Sequence, residues 1–174
     1  MEMHSCISSM IGAESPELCE GLKQLKDEHP PLLNKLDEIL KRCKSIERAF
    51  EQEQFSHLIN DVLLFKDELE PHSEREEGVL FKMMEAYIGK EMGPLAVMEY
   101  EHDQAKGCIG KFIENTKQDR PFSKEEMMEN VELIKNAYFI LVDHFAKEEK
   151  VLFPMAENLL SLEEKVELLQ QIRN

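Results

Sequence analysis

HSEREEGVLF at residues 72–81 and HFAKEEKVLF at residues 144–153 are near-copies within one chain. Each has a histidine, a glutamate four positions on, a second glutamate, and then Val-Leu-Phe. On an α-helix, positions four apart differ by only about 40° around the axis, so His72 and Glu76 project together, as do His144 and Glu148. The fifth position lies about 140° away, so Glu77 and Glu149 are expected to turn outward to solvent. The spacing alone is weak, since about one of the six histidines would have glutamate at i+4 by chance in so acidic a chain. Its weight comes from the repetition and from the apolar setting.

Around these copies, apolar residues recur every three or four positions along nearly the whole chain. Ser15 and Pro16 read as the N-cap and first turn of a helix reaching about Phe50, with Pro30 and Pro31 kinking or restarting it just after His29. A second helix runs from about Ser56 to Tyr87, with a kink at Pro71 and a stop near Gly89, and a third from near Pro94 to about Asn115. The fourth begins at Ser123, whose SKEE makes a capping box with Glu126, and continues to about Phe153. SLEE at Ser161 opens a short further helix, and no strand is evident. Long helices with short connections predict an all-α, up-down-up-down antiparallel four-helix bundle over 15–160. A flexible N-terminal tail is expected at 1–14 and an extra C-terminal helix at 161–174.

The histidines fall where leucines would be expected. Leu22, Leu25, Leu32, Leu36 and Ile39 share a stripe with His29. Phe65, Leu69, Val79 and Met83 share one with His72, Leu95, Met98, Ala105, Ile109 and Phe112 with His102, and Ala137, Ile140, Val151 and Met155 with His144. One such histidine is usually a hydrogen-bonded core residue. Four, one on each helix, would bury a large polar area at heavy cost unless something satisfied it. The interval from His29 to His102 is almost the same as that from His72 to His144. The chain therefore reads as two helical hairpins, each offering one histidine and then HxxxE. Packed about a pseudo-twofold axis they would converge four imidazoles and two carboxylates, a donor set suited to two metal ions bridged by the glutamates.

Composition narrows the rest. With 21 basic and 36 acidic residues in 174, the formal net charge is −15, which disfavours nucleic acid and anionic membrane as partners. No stretch approaches the roughly 18 apolar residues of a membrane span, and the N-terminus lacks a signal-peptide pattern. Cys6, Cys19, Cys43 and Cys108 are scattered with no CxxC pair, which suits reduced thiols in the cytoplasm. His57 is about four helical turns from His72, too far to share a site. The methionines Met83, Met98 and Met155 read as core, because thioethers suit so hard a site poorly.

DEHPPL around His29, PHSEREEGVLF with His72 and Glu76, EYEHDQ around His102, and DHFAKEEKVLFP with His144 and Glu148 form an ordered set. Over roughly residues 20–157 the chain resembles the hemerythrin-like HHE cation-binding family. The resemblance implies a carboxylate-bridged di-iron centre held by His29, His72, Glu76, His102, His144 and Glu148. Zinc, manganese or copper would also accept these donors. Oxygen-carrying hemerythrins have a further histidine where this chain has Lys106, and an aspartate five residues after the last histidine, where this chain has Glu148 at four. The ligand set is similar to that of the iron-sulfur cluster repair di-iron proteins, many of which carry an additional N-terminal domain where a short tail is expected here. The resemblance thus implies reaction with O2 or NO, sensing, or iron donation to an iron-sulfur client in a stress response, more than classical enzyme catalysis. Other readings are a reversible O2 carrier or iron store, a ferritin-like iron oxidase, and a purely structural bundle. The oxidase reading rests on the ExxH spacing of Glu99 and His102, but Leu141 stands where the fourth helix would need its glutamate.

Overall fold

Pro30 and Pro31 do not restart the first helix. In the computed structural model, which describes residues 16–173, α1 runs unbroken over Glu20–Ala49. The carbonyls deprived of a partner by the two prolines belong to Lys26 and Asp27. Both residues are exposed, so water can replace the missing bonds. The expected start at Ser15 lies outside the described residues, and 16–19 is non-helical. Instead Cys19 is the N-cap, its N–H donating to the Glu157 carboxylate at 2.6 Å. Phe50 ends α1 in the left-handed region (φ 53°), its N–H bonded to the Ile46 carbonyl.

The second rod is α2 (Gln52–Arg75), a π-helical turn at Glu76–Leu80, and α3 (Phe81–Ile88). Exposed Pro71 sits within α2 without ending it, and Gly89 closes the rod at φ 72°, a conformation costly for any residue with a Cβ. Next, α4 spans Pro94–Asn115, with Pro94 in its first turn. The fourth rod is α5 (Lys124–Lys147), a second π turn at Glu148–Leu152, and α6 (Phe153–Leu159). It starts from the expected Ser123–Glu126 capping box but outruns the expected end near Phe153, because Pro154 falls in the first turn of α6 and is tolerated there. A second box, Ser161 with Glu164, opens α7 (Leu162–Ile172). No strand occurs among the described residues.

The rods form a helical bundle: α1 packs on α2 and α5, and α4 on α5 and α2, while α7 lies on α1. A Cβ on Gly21 would come within 2.8 Å of Leu168 Cγ, so α7 approaches α1 where α1 has no side chain. The apolar interior is in two parts. One gathers Leu36, Ile46, Phe55, Phe112, Val131 and Phe145; the other Leu22, Leu80, Phe81, Phe153 and Leu168. Each of the four histidines falls between these clusters along its own rod, as His29 does between Leu25 and Leu32. A buried polar layer thus divides the core.

Candidate metal centre

That layer contains all six residues singled out by the repeat. His29, His72, Glu76, His102, His144 and Glu148 are each at most 2% exposed. Their donor atoms fall into two groups, each within 4.8 Å: His29, His72, Glu76 and Glu148, and Glu76, His102, His144 and Glu148. The two glutamates belong to both groups, with a different oxygen turned to each. Glu76 Oε1 faces His72 Nε2 at 3.3 Å and His29 Nε2 at 4.0 Å, while its Oε2 faces His102 Nε2 at 3.4 Å. Glu148 Oε2 faces His29 Nε2 at 3.3 Å, and its Oε1 faces His144 Nε2 at 2.9 Å.

None of these approaches has hydrogen-bond geometry. Nε2 of His29, His72 and His144 and both oxygens of Glu76 and Glu148 are buried with no hydrogen-bond partner. Native interiors leave few such atoms unsatisfied, because each costs on the order of 1–3 kcal/mol. Seven of them converging on two points fit a pair of cations: imidazole and carboxylate are sound donors for iron, manganese or zinc, and the shared carboxylates can bridge.

The second glutamate of each copy does not face solvent as the α-helical angle predicts. Glu77 Oε1 accepts from His102 Nδ1 at 2.6 Å, and Glu149 Oε1 accepts from His29 Nδ1 at 2.9 Å. The cause is the π turn. Phe81 N–H bonds to the Glu76 carbonyl and Phe153 N–H to that of Glu148, each five residues back. With more residues per turn, the angular step from Glu76 to Glu77 is smaller than in an α-helix, so both side chains stay near the interior. The closing phenylalanines follow the same logic. Phe81 stacks on His102 at 5.8 Å between ring centres and Phe153 on His29 at 5.6 Å. Each HxxxEExVLF copy thus supplies an inward histidine and a shared carboxylate, then orients and covers a histidine of the other hairpin.

His72 and His144 are held from the other side. Glu28 Oε2 accepts from His72 Nδ1 at 2.7 Å, and Glu101 Oε2 from His144 Nδ1 at 3.1 Å. A carboxylate can only accept, so all four imidazoles carry a proton on Nδ1 and turn Nε2 inward, the atom whose lone pair a cation would take in place of a proton. Neither Glu28 nor Glu101 is singled out by spacing, although each directly precedes a histidine, in DEH and YEH.

Burial alone would make His29 less basic, yet the facing Glu148 and Glu76 carboxylates and the Glu149 bond outweigh it and raise the imidazole to about 10. His144 is raised similarly, Glu148 overcoming its burial. Burial would push Glu76 up, but His72, His102 and His29 hold it well below the usual carboxylate range. These imidazoles keep protons because the carboxylates surround them with negative charge, and a bound cation would take the protons' place.

Other candidates lie elsewhere. Lys106 Nζ donates to Glu77 Oε1 at 2.6 Å, and Glu99 pairs with Lys90 at 3.0 Å and joins neither donor group. His57 is exposed. Tyr138 bonds to Asp37, Tyr87 to Glu164, and Tyr100 is 63% exposed. Met98 is buried in the second apolar cluster, with Met83 and Met155 packed against it. Cys19, Cys43 and Cys108 are free thiols. No helix among the described residues is long and apolar enough to cross a membrane.

The chain is 31% identical over 130 residues to an iron-sulfur cluster repair protein, YtfE, of Escherichia coli O157:H7, covering 70% of this chain and 57% of that protein. Proteins of the same name from Escherichia coli K12 (DH10B) and Shigella boydii serotype 18 are 30% identical over the same shares. The chain therefore spans little more than half the length of these relatives. The hemerythrin HHE cation binding domain matches residues 20–156, from the start of α1 into α6 and across every histidine of the buried layer. The chain belongs to the hemerythrin HHE family.

Proposed function

We propose that the protein holds a carboxylate-bridged di-iron centre and uses it to react with or sense a diatomic ligand, O2 or NO. His29 and His72 would serve one ion, His102 and His144 the other, and Glu76 and Glu148 both. The observation that carries this reading is the set of seven buried, unpartnered donor atoms, with the two oxygens of each glutamate turned to opposite halves. Iron supplies, when bound, the electrons and open positions that a diatomic needs. The residues around it hold the imidazoles in one tautomer through Nδ1 and keep bulk water out with Phe81, Phe145 and Phe153.

The relatives' name supports a role in iron-sulfur cluster repair, with an iron-sulfur protein as client; the proposal sets that role in the cytoplasm under oxidative or nitrosative stress. The short connections and the neighbour-to-neighbour packing of the rods support an up-down-up-down antiparallel arrangement, with α7 as an addition beyond a bundle over 15–160.

The test is the optical spectrum of the anaerobic, iron-loaded, reduced protein before O2, after O2, and after its removal, and again with NO. A charge-transfer band that appears and disappears reversibly would indicate a carrier or sensor; irreversible oxidation with iron loss would favour repair. Glu148→Ala, which removes a donor shared by both positions, is expected to lose iron and all spectral response, and His72→Ala to lose at least the ion of its own half. Iron retained at wild-type stoichiometry in both variants would end this assignment.

A further inference from the structure

The two halves of the centre repeat in sequence but not in the charges behind them. Arg75 and Lys147 occupy matching positions, each three residues after the histidine of its copy, and play matching parts. Arg75 donates to Glu28, which orients His72, at 2.9 Å, and Lys147 donates to Glu101, which orients His144. The other pair breaks the pattern. Lys106 donates to Glu77 Oε1 at 2.6 Å, and that same oxygen accepts from His102. Lys106 follows His102 as Leu33 follows His29, and Leu33 packs against the core. On the other side, Glu149 Oε1 serves His29 alone. The nearest cation, half-exposed Lys26, stands 4.0 Å from its other oxygen, and the counterpart of Lys26 is Glu99, of opposite charge.

A carboxylate behind a metal-bound imidazole makes that imidazole a stronger donor, and a cation on the carboxylate takes part of that effect away. At the His102 and His144 half, both orienting carboxylates carry a lysine in direct contact. At the His29 and His72 half, only Glu28 has its cation in direct contact, and Glu149 keeps nearly its full charge for His29. The bond to Glu77 is the shorter of the two, which favours His102. A full positive charge on the accepting oxygen is the larger influence, since it acts on the ion as well as on the imidazole.

Resting on the di-metal reading above, we infer that the two positions are unequal, and that Lys106 makes the His102 and His144 position the weaker one, the first to give up its ion. Lys106 acts here as a positioning residue through Glu77, not as a ligand.

Calorimetric titration of the metal-free protein with Zn2+ tests this without iron chemistry. Wild type should bind in two steps about tenfold or more apart in affinity. His102→Ala should remove the weaker step and His29→Ala the tighter. Lys106→Met should strengthen the weaker step several-fold and leave the tighter one unchanged, with an unaltered circular dichroism spectrum. Glu149→Gln should weaken the tighter step by roughly 10–100-fold, the usual cost of losing such a partner. Two coincident wild-type steps, or a weaker second step in Lys106→Met, would overturn the inference while leaving the di-metal centre intact. Wild type that binds no Zn2+, or His72→Ala that binds it as wild type does, would instead bring down the centre and the inference with it.

Discussion

Every histidine in the buried layer has both nitrogens committed: Nε2 to the interior of the site, Nδ1 to a carboxylate on another rod. The carboxylate does more than accept a proton, because it also fixes the ring's rotation and hence the direction of the inward lone pair. Glu101 is a clear case, joining His144 and Lys147 at 15% side-chain exposure. Glu101→Ala is expected to weaken metal binding by roughly 10–100-fold while leaving the metal-free fold intact. His57→Ala, at an exposed position, should do neither. Equal Zn2+ affinity in wild type and Glu101→Ala would show that the ring is held by packing alone. The inward residues were legible in the sequence because histidine at a leucine position is conspicuous. The outer carboxylates were not, for two reasons. Glutamate is so frequent here that Glu28 and Glu101 have no distinguishing mark, and the angle assigned to Glu77 and Glu149 presumed an α-helix. Glu77→Ala, neutral on that α-helical geometry, is now expected to weaken binding at the His102 half.

Among the elements, helix boundaries followed from local chemistry that needs no tertiary information: Pro94 opening α4, Gly89 closing α3, Ser123 and Ser161 as caps. The π turns were illegible because nothing in EEGVL or EEKVL forbids an α-helix, and the wider turn is held by the buried partners of Glu76, Glu77 and Phe81. Two glycines separate packing from propensity. A Cβ on Gly107 meets nothing within 4 Å, so Gly107→Ala should stabilise α4 by about 0.5–1 kcal/mol. On Gly21 the same methyl would strike Leu168, so Gly21→Ala should destabilise by about 1–3 kcal/mol and loosen α7. Urea midpoints moving in the same direction for both would refute the docking of α7. The Ser123 box also has a pH signature. Arg120 and the Ser123 N–H hold the Glu126 carboxyl down at about 2, against an ordinary 4.5. A lowered folded value means that the stabilisation is complete above 4.5 and fades as pH falls toward 2. The stability difference between wild type and Glu126→Gln should therefore shrink across that window, and a difference constant from pH 5 to 3 would exclude it.

At the scale of the molecule, a polar layer of six ionisable side chains is inserted between two apolar clusters. The larger cluster joins α1, α2, α4 and α5 through residues such as Leu36, Phe55, Phe112 and Phe145, and it includes none of the six inward donors. The layer itself contributes little to stability unless its seven unpartnered atoms are coordinated. A surrounding net charge of −15 also favours the arrival of cations. Metal binding should therefore raise stability without creating the fold, unlike small domains that are unfolded when metal-free. At free metal a hundred times the dissociation constant, the linkage is worth about 2.7 kcal/mol for each ion bound. For a chain of this length that is roughly 5–10 °C in melting temperature per ion. Chelation is expected to lower the transition by that much and to leave the far-ultraviolet helix signal below it nearly unchanged. The stabilisation should vanish in Glu148→Ala, which lacks a donor shared by both positions and whose melting temperature should be the same with and without metal. Loss of most helix on chelation would mean that the two clusters cannot stand alone, and that the buried layer holds the bundle together as well as giving it its chemistry.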